Sequence, residues 1–127
     1  MKVLGVDWGQ KRIGLAISED DLAEPYGTIS SFEEFEEVVR KEKIERILLG
    51  RPEGKYRSEV ERWGRRIEKE MGMQVVLRSE VFTTREALQK AIEAGKTRKA
   101  RRRLDALAAA LLLQEYLDER ERVGRDP

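Results

Sequence analysis

The chain has no cysteine and no histidine, and these two absences narrow its chemistry more than any residue present. Without cysteine there is no disulfide, no thiol nucleophile and no thiolate site for zinc or an iron–sulfur cluster. Without histidine there is no Ser–His triad, no imidazole base and no imidazole-bound metal. Catalysis is left to carboxylates, lysine and arginine, hydroxyls, or a metal held by oxygen ligands. Long apolar runs are missing as well. Val3 to Val6 is the one apolar run before Asp7, too short for the core of a signal peptide. Leu104 to Leu113 is broken by Asp105 and falls well short of the roughly 18 residues that read as a membrane span. The expectation is a soluble chain without a membrane partner, suited to a reducing cytoplasm. Neither charge dominates: 26 Lys and Arg face 25 Asp and Glu among 127 residues. That length suits one domain over residues 1–127, with a charged tail over about 118–127.

What is present reads as alternating strands and helices. Val3 to Asp7 is a short apolar run of the kind buried on both faces of a sheet. Trp8-Gly9-Gln10-Lys11 reads as a turn, with Gly9 free to take positive φ. Ile13, Leu15 and Ile17 then alternate with Gly14, Ala16 and Ser18, a period of two that predicts a return strand. Ser30 and Ser31 precede Glu33 and Glu34, and either serine suits a capping box opening a helix to about Lys43. Its acidic start and basic end match the helix dipole and need no further role. Ile47 to Leu49 predicts a strand, Tyr56 to Met71 a helix closed by Gly72, and Val75 to Leu77 another strand. Thr83 with Glu86 opens a helix stopping near Gly95, and a basic stretch from Lys96 to Arg103 leads into a last helix reaching about Arg122. The fold class is α/β, a sheet led by a hairpin with helices in outer layers.

Three acids stand where ligand sites gather. Asp105 is the only polar side chain from Leu104 to Leu113, and its helical neighbours Ala108, Ala109 and Leu112 are apolar. Buried without a partner, its carboxylate would cost several kcal/mol or take up a proton. It therefore needs a basic partner, such as Arg101 or Arg102, or a cation. Asp7 ends the first strand beside a glycine turn, where it is either a turn former or a ligand. Glu80 follows the strand ending at Leu77, and loop solvation alone would account for it. Gathered together, such carboxylates need a cation between them, and hard ions such as Mg²⁺ or Mn²⁺ take all-oxygen shells. A metal pair of that kind supports phosphodiester hydrolysis without His or Cys.

The residues from Asp7-Trp8-Gly9-Gln10-Lys11-Arg12-Ile13-Gly14 through Ser18 resemble the D-x-G-x-K-R-I-G-x-A-x-S opening of the YqgF proteins. These are RNase H-like nucleases described both as pre-16S rRNA 5′-end nucleases and as Holliday junction resolvases. Ser79-Glu80-Val81-Phe82-Thr83-Thr84, with Ala87, is similar to their D-E-R-L-T-T-x-x-A segment. Leu104-Asp105-Ala106-Leu107-Ala108-Ala109, then Leu113-Gln114-x-Tyr116-Leu117, is similar to their final helix. With Gly50-x-Pro52 in the place of a G-x-P loop, the likeness spans Met1 to Leu117. It implies an RNase H-like three-layer fold: a five-stranded mixed sheet, three antiparallel strands first, helices on both faces. It also implies that Asp7, Glu80 and Asp105 are the catalytic, metal-holding acids of an endonuclease that processes the 5′ end of pre-16S rRNA. Ser79 and Val81 depart from the family's Asp and Arg, removing an acid and a phosphate contact beside Glu80.

Positive charge is local. Lys96, Arg98, Lys99, Arg101, Arg102 and Arg103 place six cations in eight residues directly before Asp105. Cations at a helix start oppose its dipole, whereas phosphate binding gives a reason to keep them. Lys11, Arg12 and Arg51 are further phosphate candidates. The expected partners are structured RNA, foremost pre-rRNA within ribosomal particles, or branched DNA. A junction resolvase would work as a homodimer, a processing nuclease equally as a monomer. A non-catalytic ribosome-assembly factor is the alternative of another class. Phosphoryl transfer from ATP would need a second lobe that 127 residues cannot supply.

Overall fold

Every residue of Val3–Asp7 is buried, so this strand, β1, has to run through the middle of a sheet covered on both faces. The computed structural model places it there, and describes residues 1–9, 11–51, 56–79 and 97–123. The other strands are β2 (Ile13–Ser18), β3 (Glu24–Ile29), β4 (Arg46–Arg51) and β5 (Gln74–Ser79). Their order across the sheet is β3-β2-β1-β4-β5. β1–β2 and β2–β3 pair antiparallel, while β1–β4 and β4–β5 pair parallel. This is the mixed sheet that the family likeness implies.

Alternation along the strands sends side chains into two cores. Leu4, Val6, Leu15 and Ile47 pack with Phe35 and Val39 of helix α1 (Phe32–Glu42) and with Val60 of α2 (Arg57–Arg66). Val3, Ala16 and Leu48 pack under Ala109, Leu112 and Leu113 of the last helix, α3 (Arg98–Val123). The sheet is thus the middle of three layers. Phe32, Phe35 and Trp63 form an edge-on aromatic cluster between α1 and α2, which accounts for Trp63 as packing.

Most predicted elements lie where expected. Ser31 is the N-cap of α1 and accepts a hydrogen bond from the Glu34 backbone N–H. α2 continues through a π-helical turn, Ile67–Met71, that ends at Gly72 with φ 64°. Three points need correction. β3 is invisible to hydrophobic periodicity, because Pro25 and Gly27 interrupt it and its first half is exposed, as suits an edge strand. Gly9 does not take positive φ. A Cβ there would stand 2.5 Å from the Arg12 carbonyl oxygen, so close approach is what demands glycine. From Arg98 onward the basic residues form the first turns of α3 instead of preceding it. The helix then runs to Val123, as expected of one reaching about Arg122. The Thr83 helix lies outside the described residues. Among the described residues, no helix is long and apolar enough to cross a membrane.

α3 is latched to the sheet by polar groups of the Leu113-Gln114-x-Tyr116 segment. The Gln114 side chain accepts from Ala23 N–H at 2.8 Å and donates to the Asp21 carbonyl at 2.8 Å. The Tyr116 hydroxyl accepts from Arg46 Nη1 at 3.2 Å, which partners an arginine only 5% exposed.

Candidate active site

Asp7 is the last residue of β1 and shares the α3 face with Val3 and Gly5. In register it lies between Gly14 of β2 and Gly50 of β4, so neither neighbour offers a side chain on that face. Asp7 is 7% exposed. Glycine at position 14 has a second consequence. A Cβ there would sit 2.1 Å from the Asp105 carbonyl oxygen and 2.6 Å from its carbon. The backbone of α3 therefore rests on Gly14 at Asp105, and on Gly5 through Ala109 and Leu113. Small residues on both surfaces let the helix settle this closely, and the Asp105 backbone comes to rest on the strand neighbour of Asp7. Two of the three predicted acids thus stand at neighbouring backbone positions on β1 and α3. Glu80 lies outside the described residues.

The partner of Asp105 is not Arg101 or Arg102. Arg12 Nε donates to Asp105 Oδ2 at 2.5 Å, with the two side chains 33% and 14% exposed. Arg101 and Arg102, four and three residues before Asp105 along α3, line a cleft instead. The bond to Arg12 is legible in one respect. Arg12, Gly14 and Ala16 share strand parity, so a helix lying on the glycine meets the arginine beside it.

That cleft, about 1060 Å³ in volume, opens between the edge strand β3 and the first turns of α3. Arg98, Arg101, Arg102 and Arg103 line one side, Pro25 to Ser30 the other, and Arg12 stands between the cleft and Asp105. Of the predicted phosphate-binding residues, five line this cleft. Lys11 and Lys99 are exposed nearby in sequence, Arg51 ends β4 at the Asp7 end of the sheet, and Lys96 lies outside the described residues. Periodicity misses the β3 wall because β3 carries no apolar alternation, and the family likeness alone implies a third antiparallel strand. Trp8, next to Asp7 in sequence, packs against the core under α1 and α2, its ring 5.9 Å from that of Tyr56.

Comparison with known proteins gives the family and the fold. The family model of RuvX, described as Holliday junction resolvase, matches residues 1–119. The chain belongs to the RuvX family. A relative of this RuvX chain from Syntrophus aciditrophicus is 35% identical, covering 93% of this chain and 89% of its own length. Another from Lactococcus lactis is 34% identical, covering 92% and 94%. One from Caldanaerobacter subterraneus is 34% identical, covering 95% and 99%. All three carry the provisional name pre-16S rRNA nuclease. Thermus thermophilus RuvC, solved in complex with a Holliday junction substrate, superposes with a TM-score of 0.57 at 16% identity, over 95% of this chain and 96% of that one. The same protein in a second structure gives 0.57 at 15% identity. These neighbours establish the RNase H-like fold.

The donor set of this RuvX chain suits a hard divalent cation. Its chemistry is all oxygen, from a nearly buried carboxylate flanked by two glycines and a second carboxylate held by a cation already. The site can hold positive charge at the sheet edge and phosphates in the neighbouring cleft.

Proposed function

We propose that this chain is a divalent-metal-dependent endonuclease acting on structured RNA, and that its substrate is the 5′ region of pre-16S rRNA. The observation that carries the reading is that the Asp105 backbone rests on Gly14, the ladder neighbour of Asp7, directly beside an arginine-lined cleft. Asp7 and Asp105, with Glu80, would hold Mg²⁺ or Mn²⁺. Such a cation, when bound, activates water and offsets charge developing on the phosphate. The protein's own part is positioning. The rigid β1 ladder holds Asp7, Gly14 seats Asp105 beside it, and the cleft arginines draw the phosphodiester backbone toward both acids. Burial of Asp7 keeps competing water from its carboxylate.

Substituting Asp7→Asn removes a charge while keeping the shape of the side chain on a strand held by the β1 ladder. Cleavage should fall by about 10²-fold or more, the scale for losing a group that acts on transition-state charge, while binding and the thermal melt stay close to the parent. The test compares a pre-16S rRNA leader with a four-way DNA junction in Mg²⁺ and in Mn²⁺, alongside the mass in solution. Cleavage of the leader supports the proposal. Cleavage confined to the junction by a dimer would assign the resolvase reading instead, and cleavage that survives both Asp7→Asn and a chelator would reject the mechanism.

A further inference from the structure

Arg12 occupies two places at once: it is ion-paired to Asp105 and it lines the arginine cleft. We infer that Arg12 is an exchangeable counter-ion, holding Asp105 in the metal-free protein and released into the cleft, onto a substrate phosphate, when a divalent cation takes its place. The inference rests on the metal reading given under Proposed function and adds a coupling that the reading does not contain.

The physical grounds are these. Asp105 is only 14% exposed, and a carboxylate so placed needs a positive partner. The guanidinium supplies one, its Nε on Oδ2. A metal ligated by the same carboxylate neutralises the charge that holds Arg12, and the two cations repel each other. The backbone cannot absorb the conflict, since α3 rests on Gly14 without room to shift inward. Only the arginine side chain is free to move, and it is a third exposed. In the cleft it joins Arg98, Arg101, Arg102 and Arg103, with Glu34 also on the wall, an excess of positive charge that an entering phosphate relieves. Metal and nucleic acid therefore favour the same position of Arg12, and each should strengthen the binding of the other by the same factor.

The test uses the full chain, isothermal titration with Mg²⁺ and Mn²⁺, and anisotropy of a phosphorothioate-protected RNA strand with and without Mg²⁺. In Arg12→Gln the competitor for Asp105 is gone, so metal affinity should rise about tenfold, within the 5–150-fold typical of coupled sites. RNA affinity should fall less without metal than with it, because only the metal-bound protein has Arg12 free for a phosphate, so the Mg²⁺-dependent gain in RNA affinity should shrink by that same factor. A second measurement needs no functional variant. The Arg12 Nε–H resonance, assigned with Arg12→Lys, should be protected from exchange without metal and lose that protection as Mg²⁺ is added.

Weaker metal binding in Arg12→Gln would mean that Arg12 merely props Asp105 in place, and would overturn the exchange. So would an equal loss of RNA affinity with and without metal, or an Nε–H resonance that ignores saturating Mg²⁺. Under those outcomes the metal reading stands, because the parent still binds the ion. A parent that takes up neither Mg²⁺ nor Mn²⁺ removes both.

Discussion

Gly14 carries more of this site than any charged residue. It is the ladder neighbour of Asp7 and the seat of Asp105, and its missing side chain is what allows the two to be close. The obstacle to a side chain at this position is backbone, which cannot swing aside as a flexible side chain can. Gly14→Ala should therefore lift the start of α3 from the sheet, at a cost of about 1–3 kcal/mol or more, as for overpacked cores. Chemical denaturation would show the loss, and nuclease activity should fall further than stability alone accounts for. Gly5→Ala makes a useful comparison. Its Cβ would meet the Leu113 Cβ at 2.9 Å and the Ala109 carbonyl oxygen at 3.4 Å, a milder conflict farther from Asp105. It should destabilise less and leave the residual activity of folded protein nearer the parent.

Among the elements, α1 and α3 begin in opposite ways. α1 opens with Glu33 and Glu34, charges that suit its positive end. Glu34 Oε1 accepts from the Ser30 N–H at 2.9 Å and from the Ser30 hydroxyl at 2.8 Å. These bonds, the backbone one foremost, hold the Glu34 carboxyl below the usual carboxylate range. A group whose pKa is lowered on folding stabilises the protein above its unfolded value, and that contribution disappears as pH falls through the folded one. Thermal melts of the parent and Glu34→Gln should therefore differ at neutral pH, with the parent more stable, and converge on acidification. A difference that stays constant with pH would deny the carboxylate this part. α3 has no acid in its first turn and opens on Arg98, Lys99 and Arg101. That start opposes the dipole, and the Thr97 hydroxyl, accepting from the Ala100 N–H at 3.1 Å, caps it. A helix so begun makes sense as a phosphate-facing one.

At the scale of the whole molecule, a net charge of +1 gives almost no long-range pull on a polyanion. Attraction has to come from the asymmetric cleft, where arginines from α3 and from the β2 entrance converge. Binding should weaken linearly on a log–log plot against salt. Replacing Arg102 and Arg103 by glutamine should lower that slope by ~0.7–0.9 for each phosphate left without its arginine. The melt should not change, since both side chains are exposed. A slope unchanged in the double variant would place the nucleic acid elsewhere.

Periodicity and end signals are enough to read the hairpin, the capped α1, the Gly72 stop of α2 and the long last helix, because each depends on residues adjacent in sequence. Composition determines the oxygen-only character of the site, since an absent residue type is absent from every fold. β3 escapes because an edge strand with proline and glycine carries no apolar alternation, and its pairing partner supplies what its own sequence does not. The partner of Asp105 is a decision of tertiary packing. Arg101 and Arg102, four and three positions before it, share its side of the helix and by local spacing alone suit it as partners, yet Arg12, 93 positions away, is brought against it by the seating of α3 on Gly14. Local sequence determines which elements form; only the packed chain decides which charges meet, because that depends on where one surface has no side chain and another can therefore come close.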